Sequence, residues 1–107
     1  MPNGESKNWI RLLITLEDFW LLYNCWPTTI HLYGFFIEEL REMLSENDFE
    51  KLQSKIKLIP DDNNPFLAVD ESGNKYDYCH SKPYVPQNKQ PVDVRAWLDI
   101  NEPDYYD

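Results

Sequence analysis

Cys79 and His80 stand side by side, and Cys25 and His31 lie six apart, so a thiol and an imidazole are at hand for nucleophilic chemistry or a metal. Neither arrangement has the spacing that such work needs. No CxxC occurs, and none of the four residues falls into a zinc-ligand pattern. Adjacent residues of a strand point to opposite faces, so Cys79 and His80 in an alternating segment could not pair. Cys25 lies among aromatics in the most apolar part of the chain, where burial would raise its pKa and blunt it, so it reads as a core thiol.

Carboxylate pairs are frequent, at Asp61–Asp62, Glu38–Glu39 and Glu102–Asp104. Nineteen acids among 107 residues produce such pairs without a catalytic reason. General acid work would also require one carboxyl in an apolar pocket. The stretch DESGN at 70–74 has oxygen donors and a glycine, but lacks the alternation and closing glutamate of a calcium loop, and reads as a hairpin turn. With three glycines, at positions 4, 34 and 73, the chain has no phosphate cradle, and GxGxxG, GxxxxGK[ST] and GxSxG are all missing. The sequence therefore predicts no catalytic residue, no metal and no cofactor.

The formal charge is −9, from 19 acidic and 10 basic residues, which opposes binding to nucleic acid and to anionic lipid. The surplus is local: residues 61–107 hold ten acids and four bases. Interleaved with those acids are Tyr76, Tyr78, Tyr84, Trp97, Tyr105 and Tyr106. Tyrosine and tryptophan dominate binding hot spots, while carboxylates steer a basic partner toward them. Asp99, Glu102, Asp104, Tyr105 and Tyr106 are the first candidate partner contacts, with Asp61, Asp62, Asp70, Glu71 and Asp77 as a second group; Trp97 is assigned to the core.

The elements that must position these residues follow from the apolar pattern. Residues 1–8 are polar and read as a disordered leader, residues 9–100 as a single domain, and residues 101–107 as an acidic tail. A buried helix is expected over 15–24, capped by Thr15 with Asp18 three positions on, with 9–14 as its first turns or a short strand. From Ile30, apolar residues at Tyr33, Phe36, Ile37, Leu40 and Leu44 predict an amphipathic helix, with Gly34 an unfavourable residue inside it. Ser45 or Asn47 starts another helix, followed by strands at IKLIP, FLAV and KYDYCH with turns at DDNNP and DESGN. Prolines 83, 86 and 91 make an extended connector, and VDVRAWLDI a last short helix with Pro91 as its first residue.

The fold class expected is α+β: N-terminal helices packed on a small antiparallel sheet of two or three strands, then a short C-terminal helix and the tail. No secretory signal or membrane-length apolar run is present, so the cytoplasm is the expected location, with both thiols reduced. The likeness to small acidic inhibitors is one of composition, not of any motif. The leading expectation is an interaction protein, of inhibitor or immunity type, that blocks a basic protein such as a nuclease or toxin. The alternatives are an adaptor or subunit using the apolar face of residues 9–44, and a small enzyme or small-ligand binder.

Overall fold

The computed structural model describes residues 4–80 and 93–100, with the backbone alone for 4–7. The chain is α+β. Among the described residues there are four helices, α1 (Gly4–Tyr23), α2 (Gly34–Met43), α3 (Glu46–Lys55) and α4 (Val94–Leu98). Four short strands, β1 (Thr29–Leu32), β2 (Lys57–Pro60), β3 (Leu67–Val69) and β4 (Lys75–Asp77), form one sheet in the order β2-β1-β3-β4.

Helix α1 starts well before Trp9, inside the stretch read as a leader, and Asn8 and Trp9 are already buried. The expected cap at Thr15 is not one. Thr15 is fully buried in mid-helix, and its hydroxyl donates to the Arg11 carbonyl at 2.7 Å, the bond a mid-helix threonine makes to the preceding turn. Leu12, Leu16 and Phe19 turn inward at helical spacing. The helix ends at Tyr23, and Asn24 after it takes the left-handed conformation (φ 61) and donates its N–H to the Trp20 carbonyl, a stop asparagine tolerates better than most residues.

The segment from Ile30 is the main departure from the sequence reading. Residues 29–32 form a strand, because the inward residues there are Ile30 and Leu32, two apart, while Thr29 and His31 face the other way. The helix begins only at Gly34, at a terminus where glycine does not carry its interior cost. Strand β1 pairs parallel with β2 and antiparallel with β3, so the sheet is mixed and has four strands, not the two or three antiparallel ones expected. A parallel pair cannot be closed by a hairpin, and α2 and α3 fill the crossover it needs.

Helix α3 starts as expected, with the Ser45 hydroxyl accepting from the Asp48 N–H at 3.1 Å. The turns at 61–66 and 70–74 also stand where expected, but β4 ends at Asp77, so Tyr78, Cys79 and His80 belong to a turn. The expected connector at 81–92, including Pro91, and the tail at 101–107 lie outside the described residues.

In register, Leu58, Ile30, Ala68 and Tyr76 form one row across the sheet. Ile30, Ala68 and Tyr76 are buried in the core, with Leu58 partly buried against it. Helix α1 lies against β3 and β4, and α2 and α3 against β2. The next row, Ile59, His31, Leu67 and Asp77, faces the other way and is only partly covered, as in a sheet packed on one side. No helix among the described residues is long and apolar enough to cross a membrane.

Candidate functional site: a tyrosine-lined cleft beside the edge strand

The register divides the candidate acids. Strands β1, β2 and β4 run one way and β3 the other, so the residues after Pro60 and Asp77 gather at one end of the sheet and those after Val69 at the opposite end. Asp61, Asp62 and Asp77 are therefore at the first end, and Asp70 and Glu71 at the second. A strand of three or four residues at roughly 3.3 Å each keeps the two sets about 10 Å or more apart. The second group does not form one surface.

Most of these carboxylates are also occupied within the fold. Asp61 meets His31 Nδ1 at 2.9 Å and accepts the Asn63 and Asn64 N–H groups, both at 3.0 Å, closing the turn after β2. These contacts, the His31 bond foremost, hold its carboxyl below the usual range. Asp62 accepts the Gly34 N–H at 3.0 Å and so caps α2 from a distant loop, since Tyr33 at the N-cap makes no side-chain bond. Asp70 takes the Ser72 and Asn74 N–H groups and the Asn74 amide. Desolvation pushes its carboxyl up, but those bonds and the Cys25 thiol outweigh it, so it too is lowered. Asp77 accepts from the Cys79 and His80 N–H groups and pairs with His80 Nδ1 at 2.7 Å. Glu71 is exposed in the 70–74 turn.

From the first group, Asp99 ends α4 in the left-handed conformation and faces Lys51 at 3.6 Å. Glu102, Asp104, Tyr105 and Tyr106 lie outside the described residues. Trp97 is half-buried, stacked on Trp26 with ring centroids 4.2 Å apart.

The cysteines also differ from expectation. Cys25 is exposed, beyond the end of α1, with its Sγ 3.6 Å from Asp70 Oδ2. The apolar run around it misleads because the helix ends at Tyr23, two residues earlier. Its thiol is pushed up by desolvation and by the Asp70 carboxylate. Cys79 is pushed up by burial and by Asp77, against a smaller opposing pull from Arg11. Neither thiol is activated, and the His80 imidazole is turned to Asp77. Among the described residues no three His, Cys, Asp or Glu side chains converge as a metal site would require.

What the fold does assemble is a cleft of about 620 Å³ between α1 and the β4 edge, lined by Arg11, Ile14 and Asp18 from α1 and by Tyr33, Phe66, Tyr76, Tyr78 and Cys79 from the sheet side. Positions 11, 14 and 18 share one face of a helix. Tyr23 fixes the two walls together, its hydroxyl donating to the Lys75 carbonyl at 2.7 Å.

Phe66 is the floor, buried, with Tyr33 and Tyr78 set edge-on to it at 5.8 and 6.1 Å. It holds φ 60, and for a bulky residue the left-handed region costs on the order of 1–3 kcal/mol. The strain is held by its N–H donating to the His31 carbonyl and its carbonyl accepting the Tyr78 N–H at 3.0 Å.

Asp18 is the unusual group. Only 8% exposed, it faces the Tyr76 hydroxyl, and burial raises its carboxyl despite that bond. Tyr76, 4% exposed, is raised well above the ordinary phenol value by burial and by Asp18. The sequence carried two traces of this cleft: the polar pair Arg11 and Asp18 on one helical stripe of an apolar segment, and the two-residue spacing of Tyr76 and Tyr78. Neither showed that they would meet.

Comparison with protein-family models, with curated proteins and with solved structures gave no match. The functional reading therefore stands on the geometry and charge of this chain.

Proposed function

We propose that this chain is an acidic protein-interaction protein that binds and blocks a basic partner, as an inhibitor or immunity protein does with a nuclease or toxin. The observation that carries the reading is the cleft: an aromatic concavity around a buried carboxylate with no ion pair among the described residues, in a chain of charge −9. Aromatic hot spots in a desolvated pocket supply affinity, and the surrounding negative field supplies encounter speed. The cytoplasm, where Cys25 and Cys79 stay reduced, is the compartment this reading assumes.

The adaptor reading is the second, and burial of its proposed surface weighs against it. The apolar face of residues 9–44 is used inside the domain, where Leu12, Leu16, Phe19, Ile30, Leu32, Phe36 and Leu40 are fully buried. Among the described residues, the large apolar side chains left exposed, Ile10, Leu22 and Phe35, are spread over two helices.

The test is affinity capture on the immobilised protein, eluted by a salt gradient, followed by an activity assay of the identified partner. A basic protein released at moderate salt and inhibited at one-to-one stoichiometry supports the proposal. Partners that are not basic, or that resist salt, overturn it.

A further inference from the structure

We propose that the cleft between α1 and β4 is an anchor site for one arginine side chain of the partner, with Asp18 as counter-ion and the rings of Tyr33, Phe66 and Tyr78 as walls. The inference rests on the basic-partner reading and specifies the residue by which that partner is held.

A carboxylate withdrawn from water is costly unless a cation or hydrogen bonds replace its hydration. Asp18 has the Tyr76 hydroxyl and no ion pair among the described residues. Arg11 does not fill the role. It lines the same cleft two helical turns away and acts on the Cys79 thiol, but forms no ion pair with Asp18. Its guanidinium donates to Asn8 Oδ1 at 2.9 Å. The remaining charges near the cleft add to the negative side: Glu17 couples to Asp18, and Asp77 acts on both Tyr76 and Cys79, with His80 paired to it. Charge complementarity at the Asp18 end therefore calls for a cation.

The aromatic lining favours arginine over lysine. Tyr33, Phe66 and Tyr78 line the cleft, with the two tyrosine rings at 83° and 66° to the Phe66 ring, so it offers aromatic faces in more than one orientation. A guanidinium is planar, stacks on such faces, and is more weakly hydrated than an ammonium, so it enters an aromatic slot at lower desolvation cost. It can also present two N–H donors to one carboxylate. The strained backbone at Phe66 agrees with this placement, since strain of that kind is maintained where a site needs a particular geometry. At about 620 Å³ the cleft falls within the range of ligand sites and has room for the side chain with part of its flanking backbone, which suits a protruding loop.

The experiment is a titration of N-acetyl-L-argininamide into the isotope-labelled full chain, followed by amide and tyrosine ring NMR shifts, beside its lysine and citrulline counterparts. Citrulline keeps the shape of arginine and lacks the charge. The expected result is saturable shifts centred on Asp18, Phe66, Tyr76 and Tyr78 with a dissociation constant of roughly 1–10 mM, as for a single-residue probe. Citrulline binds at least about tenfold more weakly, lysine more weakly than arginine, and Asp18→Asn reduces arginine binding by about tenfold or more. No shifts, shifts elsewhere, equal binding of citrulline or lysine, or full binding by the Asp18→Asn protein would each overturn the assignment. Failure here remains distinct from failure of the broader reading: if the Asp18→Asn protein still captures and inhibits the basic partner, only the anchor is wrong.

Discussion

At the scale of single residues, two carboxylates of this protein work in opposite directions. Asp61 is held below its unfolded value by His31 and two backbone N–H groups, so its contribution to stability is full above the unfolded carboxylate range, near pH 4, and is lost as pH falls through the lower folded value. Asp18 is raised by burial, so the folded state is penalised as pH rises through the window from the unfolded value to the higher folded one. Asp61→Ala is therefore expected to lower Tm at neutral pH and to flatten the fall in Tm on acidification. Asp18→Asn, which keeps an acceptor for the Tyr76 hydroxyl, is expected to leave Tm at pH 7 unchanged or higher, while removing the charge the cleft depends on. Thermal melts between pH 3 and 8 check both, and a large drop in Tm for Asp18→Asn would make that carboxylate a structural group. Composition showed the abundance of acids and could not show this division. An aspartate that closes a turn and one buried in a cleft carry the same letter, and they differ only in which N–H groups or rings the fold brings to them.

At the scale of elements, the legible parts were those with a local cause. Ser45 followed by Glu46 and Asp48, with Lys55 at the far end, suits a capped helix and its dipole whatever surrounds it, and α3 formed there. Replacing Ser45 by Ala is expected to cost about 1 kcal/mol, or roughly 4–8 °C in Tm for a domain of this size, readable by thermal or urea unfolding with Ser45→Thr nearly neutral. No effect would mean that packing of Phe49 and Leu52 alone holds the helix. Where the cause was distant, the sequence misled. Ile30 and Tyr33 fall three apart, as on a helix, yet β1 exists because Leu58 and Ala68 flank Ile30 from strands 28 and 38 positions later in the chain. The cap of α2 likewise comes from Asp62 rather than from the residues before Gly34. The cleft has the same origin, since its walls, α1 and β4, are separated by about half of the chain.

For the molecule as a whole, the charge of −9 acts on folding and on binding with opposite salt dependence. Self-repulsion among unpaired acids opposes the compact state, and the described ion pairs that relieve it are few and largely exposed: Arg41–Glu38 and Lys51–Asp99 span 3.6 Å with side chains more than half exposed, which limits each to a fraction of a kcal/mol. Raising ionic strength from about 10 to 150 mM shortens the screening length from roughly 30 to 8 Å, which removes the long-range repulsion and leaves contacts such as His31–Asp61 at 2.9 Å in place. Tm is therefore expected to rise over that range. The same screening removes the steering of a basic partner, so the association rate is expected to fall by tenfold or more while dissociation, set by the desolvated cleft, changes little. Stopped-flow or surface-plasmon kinetics beside thermal melts in the same buffers separate the two. A Tm that falls with salt would mean that local pairs outweigh the net charge in the fold, and an association rate indifferent to salt would mean that the acidic surface is for solubility and not for meeting a partner.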